Sequence, residues 1–329
     1  MIGTRTPFRI SFVGGGTDLK SFYSRRPGFV VSTTINKYMY IFIHPFFDQK
    51  IQVKYSRTEL VEHIEEIAHP VVREVLKKFN ISGVDINSIA DIPAGTGLGS
   101  SCAFTVGLFN ALYAYVGQKI DKEGLAQRAC DLEINVLKEP IGKQDQYATA
   151  YGGLNFITFL PDDRVIVEPV KMSPERLAQL EKNLILFYLG GPRAARDILT
   201  YQVENLERDE RKFTALEKMA NIALKFKTCL ENGSLDDVGV WLEENWQLKK
   251  TLSPLISNEK IDHYYQAAKR NGALGGKLLG AGGGGFLLFY CPEEHQEKLK
   301  LSLADLRPMK VRFDKLGSQI IFDDRKEKE

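Results

Sequence analysis

Apolar positions along the chain switch between two periods. Residues 4–13 read as a strand, and Gly28 to His44, rich in Val, Ile, Thr and Tyr, predicts two strands around Asn36-Lys37. Residues 51–55 predict a short strand, and 84–89 an edge or crossing strand. Helical spacing appears at 70–79, where Val71, Val72, Val75, Leu76 and Phe79 share a face. It returns at 101–116, apolar all round, and at 122–138, capped by Asp121 and ended by Pro140. A short helix is expected between 141 and 150. Segments 154–160 and 165–170 flank Pro161-Asp162-Asp163-Arg164 as a hairpin. Near Lys171 the texture changes to a helix at 173–182, an apolar strand at 184–189, and charge-rich helical text over 194–252 broken at Asn232-Gly233. A helix at 261–271, a strand at 286–291, a helix at 292–304 and strands at 309–313 and 319–322 complete the pattern. Strands and helices alternate without a regular βαβ beat, so the class is α+β. The boundary is expected near 175, giving domains 1–175 and 176–329.

Glycine punctuates this pattern in three places. The central stretch is Pro93-Ala94-Gly95-Thr96-Gly97-Leu98-Gly99-Ser100-Ser101, directly before the buried helix. A glycine loop opening a helix presents free N–H groups and the positive end of the dipole, which suits phosphate. Gly-x-x-x-x-Gly-Lys-Ser/Thr is absent, and Ser100 stands where a dinucleotide fingerprint needs its last glycine. The other two are Gly14-Gly15-Gly16-Thr17-Asp18 and Gly280 to Gly285.

Composition excludes more than it assigns. A net charge of +2 gives no reason to expect nucleic acid or a membrane surface as partner. Cys102, Cys130, Cys229 and Cys291 lie far apart, as expected of reduced thiols in a cytoplasmic protein, and the five histidines show no metal-ligand spacing. The N-terminal apolar stretch contains charges, unlike a signal peptide, and no run of 18 apolar residues occurs.

Taken in order, Pro7 to Asp18, Pro93 to Ala103 and Lys277 to Phe289 resemble the three motifs of the GHMP superfamily of small-molecule kinases: galactokinase, homoserine kinase, mevalonate kinase and phosphomevalonate kinase. The resemblance covers the whole chain. Gly14 to Asp18, Gly142-Lys143-Gln144-Asp145-Gln146 and Gly280 to Phe286 look most like its D-glycero-D-manno-heptose 7-phosphate kinase branch. It implies a ribosomal-protein-S5-like N-terminal domain, a ferredoxin-like C-terminal domain, and ATP with Mg²⁺ between them. The implied reaction moves the γ-phosphoryl of ATP to the anomeric hydroxyl of a sugar phosphate, for nucleotide-activated heptose synthesis. Rival readings are a fucose-type or galactose-type kinase of the same superfamily and a non-catalytic ligand sensor. A homodimer is compatible with all of them.

Residue by residue, the resemblance assigns the ATP phosphates to 93–101 and magnesium to Ser101 and Glu133, the latter 12 positions before Asp145. Asp145 is the implied catalytic aspartate, which accepts or orients the hydroxyl proton. Arg9 is the implied cation that keeps the aspartate charged or stabilises the transferred group, with Lys143 as a second candidate. Asp18, with Gly15, Gly16 and Thr17, falls where galactokinase holds its sugar. Here Gly15 and Gly16 stand in place of an acidic residue and a histidine, which disfavours galactose. The residues themselves add two further expectations. Arg193 and Arg196, at the start of a helical stretch, form a candidate site for a substrate phosphate, and the glycines around Gly282 and Gly283 let backbone approach a ligand.

Overall fold

The computed structural model describes residues 1–190, 195–206 and 209–325. Its larger sheet starts with β1 (Ile2–Val13) and β2 (Gly28–Pro45) and adds β3 (Ile51–Lys54), β4 (Thr58–Val61), β5 (Val84–Ala90), β6 (Leu154–Phe159) and β7 (Val165–Pro169). Its helices are α1 (Lys20–Tyr23), α2 (Pro70–Phe79), α3 (Ser100–Tyr115), α4 (Lys122–Cys130) and α5 (Gln144–Tyr151). The second half holds α6 (Pro174–Asn183), β8 (Leu184–Tyr188), α7 (Ala195–Leu206), α8 (Glu210–Asn232), α9 (Asp237–Leu252) and α10 (Glu259–Arg270). Then come β9 (Gly275–Leu278), β10 (Phe286–Tyr290), α11 (Gln296–Ser302), β11 (Arg307–Met309), β12 (Phe313–Asp314) and β13 (Gln319–Asp323).

The smaller sheet runs β11-β8-β10-β9, all antiparallel. With α8–α10 between β8 and β9, and α11 between β10 and β11, this is the ferredoxin-like β-α-β-β-α-β arrangement. The larger sheet runs β13-β1-β2-β5-β3-β4, with β6 and β12 also on β2. A single cut near 175 therefore does not separate the two sheets, because β12 and β13 return to β2 and β1.

Three expectations are corrected. Residues 28–45 form one strand and not two. Pro7 faces Tyr38 while Phe8 faces Ile35, so Asn36 and Lys37 bulge out of the ladder instead of reversing it. The bulge is used: the Asn36 N–H donates to the Arg312 carbonyl at 2.8 Å, and the Asn36 side-chain oxygen accepts the Arg312 N–H at 2.8 Å. β5 is interior, between β2 and β3. The helix expected over 122–138 winds into a wider π turn at Asp131–Val136, a feature frequent at functional sites.

α3 is buried on nearly every side against β1, β2 and α5, which explains its lack of a polar face. α8 spans two cores. Its Ile222, Ala223 and Phe226 join the core under the larger sheet, and its Phe213, Leu216 and Met219 join the core under the smaller one. The site lies where these two bodies meet. Among the described residues, no helix is long and apolar enough to cross a membrane.

Candidate active site

β1 carries the first functional side chain. Arg9 is 5% exposed. Its Nε and Nη2 donate to the two Asp145 carboxylate oxygens at 2.7 and 2.6 Å, and its Nη1 donates to the Gly97 carbonyl at 2.6 Å. One guanidinium thus ties the first strand, the central glycine loop and the first turn of α5. Burial alone would lower its pKa, but the Asp145 carboxylate more than offsets this and leaves it raised.

Beyond Val13 the chain turns. The Gly14 N–H donates to Asn245 Oδ1 at 3.0 Å. Thr17 Oγ1 lies 2.8 Å from the Gly14 carbonyl oxygen and accepts the Phe29 N–H at 2.9 Å. Thr17 is fully buried, so it holds the turn and does not face ligand, contrary to its expected place among the substrate contacts. Asp18 does line the pocket, with Gly15 and Gly16. Its carboxylate accepts the Gly16 N–H at 2.9 Å, the Gln144 N–H at 3.1 Å and the Gln144 side-chain amide at 3.0 Å. Burial nevertheless pushes its carboxyl up. Gln144 is oriented in turn by the Ser11 hydroxyl, which donates to Gln144 Oε1 at 2.7 Å.

Lys143 and Asp145 are two residues apart where the chain enters α5. Two helical steps turn by roughly 200°, so they point to opposite sides. Asp145 faces the pocket, whereas Lys143 Nζ lies 2.9 Å from the Asp163 carboxylate and 4.7 Å from the centre of the Tyr23 ring. That contact pulls the Asp163 carboxyl down to about 2. Of the two expected catalytic cations, the structure brings only Arg9 to Asp145.

In the central loop, Gly95, Gly97 and Gly99 take positive φ, while Thr96 and Leu98 between them are buried. Pro93, Ala94 and Gly95 are exposed. Gly99 caps α3 without a side chain to satisfy its first amides, which leaves them open to phosphate oxygens. Ser100 is buried and Ser101 exposed. The glycines of the third motif pack against this loop. A Cβ on Gly97 would come 2.5 Å from the Leu279 carbonyl oxygen, and one on Gly285 would come 2.2 Å from that of Thr96. Backbone lies on backbone here, and any side chain would push the two motifs apart. Gly282 and Gly283 pack against Ile256 instead, and the substrate-side positions of this run are Gly280 and Ala281.

Glu133, in the π turn, is buried. Its oxygens accept from Thr105 Oγ1 at 2.8 Å and the Gln146 amide at 2.6 Å, and burial pushes its carboxyl up. Thr105 also lies 3.2 Å from the Ser101 carbonyl, so Glu133 sits one helical turn below Ser101. Among the described residues no cluster of three or more His, Cys, Asp or Glu could hold a metal. Arg193 lies outside the described residues. Arg196 is 65% exposed and sits 3.7 Å from Glu139, while Leu199 on the same helix reaches the pocket. Of the two expected arginines, the described residues include only Arg196, and it stands away from the pocket wall.

Two buried lysines that sequence reasoning missed do line the pocket. Lys277 Nζ donates to the Ser11 and Phe12 carbonyls at 2.8 and 2.7 Å, joining β9 to β1. Lys249, on α9, donates to the Gly280 carbonyl. Lys277 begins the third motif and could have been noticed there. Lys249 sits in a charge-rich helix with no local signal.

The model for the GHMP kinases N terminal domain matches residues 62–153, and that for GHMP kinases C terminal matches 226–306. The D-glycero-alpha-D-manno-heptose 7-phosphate kinase of Campylobacter jejuni is 30% identical over 302 residues, 88% of this chain and 89% of that protein. The bifunctional fucokinase/GDP-fucose pyrophosphorylase of Arabidopsis thaliana is 28% identical over 89% of this chain, which spans 30% of that longer protein. Among solved structures, a D-glycero-D-manno-heptose 1-phosphate kinase from Bacteroides thetaiotaomicron superposes with a TM-score of 0.80 at 23% identity, covering 98% of this chain and 99% of that one. That likeness concerns the fold alone. With both domain models in chain order and a relative 30% identical along most of its length, the chain belongs to the GHMP kinase family of phosphotransferases.

Proposed function

We propose that this protein transfers the γ-phosphoryl of ATP to the anomeric hydroxyl of a sugar phosphate, D-glycero-D-manno-heptose 7-phosphate, giving the 1,7-bisphosphate. The observation that carries the reading is the Arg9–Asp145 fork, on the wall of a pocket that also presents Asp18. A carboxylate has about two acceptor sites on each oxygen, so the fork leaves Asp145 able to receive the acceptor's proton. Arg9 holds that carboxylate in orientation. The uncapped start of α3 and the glycine loop before it supply donors for phosphate oxygens, which suits a reaction that depends on positioning and charge neutralisation. Asp18, fixed by Gln144 and flanked by glycines, is suited to receive sugar hydroxyls. The choice of sugar rests on the name of the Campylobacter jejuni relative.

The donor chemistry also fits magnesium. Gln146 Oε1 is buried without a partner, on the amide that holds the Glu133 carboxylate. Among the described residues no cation pairs with Glu133, and a hard cation would offset both features. Ser101 and Glu133 would hold it, and it would neutralise charge on the phosphate oxygens.

A free-sugar kinase is the second reading, favoured by the position of Arg196 away from the pocket wall. ADP release measured with ATP, magnesium and paired free and phosphorylated sugars separates the two. Turnover with heptose 7-phosphate alone supports the first reading, turnover with a free sugar the second. Absence of turnover with every acceptor removes both.

A further inference from the structure

α9 places two side chains of one face, Asn245 and Lys249, a single turn apart. Asn245 accepts the Gly14 N–H of the first motif, and Lys249 donates to the Gly280 carbonyl of the third. The helix thereby stitches together two glycine segments that are remote in sequence. Both keep donors free: among the described residues the buried Asn245 amide nitrogen has no partner, and the Lys249 ammonium has three N–H donors of which the Gly280 carbonyl takes one.

Lys249 is 8% exposed and lines the same pocket as Arg9, Asp18 and Asp145. The other charged groups there are more fully engaged. Arg9 is matched by Asp145, Asp18 is held by Gly16 and Gln144, and Lys277 spends two of its three N–H donors on carbonyls of β1. Among the described residues, no carboxylate lies within ion-pair distance of Lys249. The wall carries Arg9, Lys249 and Lys277 against Asp18 and Asp145. A buried cation without a counter-charge is costly, and an anionic ligand would remove that cost.

We propose that Lys249 binds a phosphoryl oxygen in this pocket, either of the group being transferred or of a phosphate already carried by the acceptor. The proposal rests on the kinase reading for the source of the phosphate, though not for the anion site itself. The charged groups around Lys249 are Arg9 from β1, Asp18 from the first glycine turn, Asp145 from α5 and Lys277 from β9. Burial, and then repulsion by Arg9, bring the Lys249 ammonium down to about 8. A phosphate beside it would raise it again, typically by 1 to 3 units as an order of magnitude.

The test begins with NMR titration of lysine side chains in the whole wild-type protein, with Lys249→Arg used to assign the signal. Inorganic phosphate is the probe. An upward shift of the Lys249 titration by about one unit or more is expected, and a titration unmoved by saturating phosphate overturns the proposal. Kinetics of Lys249→Met and Lys249→Arg then identify the source. If the phosphate is the one transferred, K249M lowers kcat roughly 100-fold with every acceptor and also lowers the acceptor-free ATPase. If the acceptor carries it, K249M raises KM for the phosphorylated sugar by about 10-fold or more, with a much smaller fall in kcat at saturating acceptor. In both cases K249R recovers part of the loss. K249M kinetics equal to wild type overturn the proposal, as does a loss that K249R shares in full. If the wild type turns over no acceptor while phosphate still shifts Lys249, the kinase reading fails and the anion site stands.

Discussion

The Arg9–Asp145 fork sets a measurable coupling between stability and chemistry. Arg9→Met leaves the Asp145 carboxylate without its counter-ion. A fully buried partner left unpaired costs about 3–5 kcal/mol, but the Asp145 side chain is 22% exposed and regains some solvation. The expected loss is therefore roughly 2–3 kcal/mol. Asp145→Asn removes the opposite charge and leaves a more deeply buried guanidinium, still on the Gly97 carbonyl, at a cost of about 3 kcal/mol. Combining the two substitutions removes both charges, and the broken Gly97 contact appears equally in R9M and the double variant, so it cancels from the cycle. The coupling left should be about 2 kcal/mol, with the double variant more stable than the sum of the singles. Urea unfolding of the four proteins measures it. Additivity within about 0.5 kcal/mol would show that the fork contributes nothing as a pair. D145N should also lower kcat by at least about 100-fold while ATP binding persists, and an active D145N enzyme would remove Asp145 as the base.

Other outcomes follow from single contacts. Lys143→Met should leave kcat within about twofold of wild type, because the ammonium faces Asp163 away from the pocket; a large fall in kcat would return it to the chemistry. Gly97→Ala should destabilise by about 2 kcal/mol or more, seen in unfolding, since the new Cβ meets the Leu279 carbonyl in a positive-φ turn. Thr17→Val should cost roughly 1–3 kcal/mol by losing the hydroxyl that closes the Gly14 turn, with the acceptor KM raised no more than the stability loss explains. The pH dependence has a definite sign. The folded Lys249 titrates at about 8, below the ordinary 10.5, so between these values the unfolded chain binds more protons. Wild-type stability should then rise with pH across that window relative to K249M, by an order of 3 kcal/mol in phosphate-free buffer. A flat difference between pH 8 and 10.5 would contradict the buried, uncompensated ammonium.

Much of the architecture could be read from the chain because it rests on local rules. Pro70–Phe79 and the 161–164 hairpin came from periodicity and turn chemistry, and α3 announced its burial by lacking a polar face. The errors came where one local signal serves two structures. Asn36-Lys37 has the chemistry of a turn, but a bulge accepts the same residues, and only pairing along all of β1 decides between them.

The candidate site divides in the same way. Residue type singled out the glycine loops, because close backbone approach requires glycine, whereas Arg9, Asp18 and Asp145 were picked out by the resemblance of their motifs to the kinase family. Tertiary structure decided which of them meet. Arg9 and Asp145 are 136 residues apart, and strand β1 lying beside α5 makes them a pair. Helical phase turned Lys143 away, and a buried turn claimed Thr17. Lys249 became a pocket residue because α9 packs against β1 and β9, a placement set by apolar faces rather than by anything near the lysine itself. Sequence alone determined the chemistry available to this protein, since that depends on residue type and local backbone freedom. The fold decided which charges lost their water and which partners they met, since desolvation and distance arise only when distant segments pack.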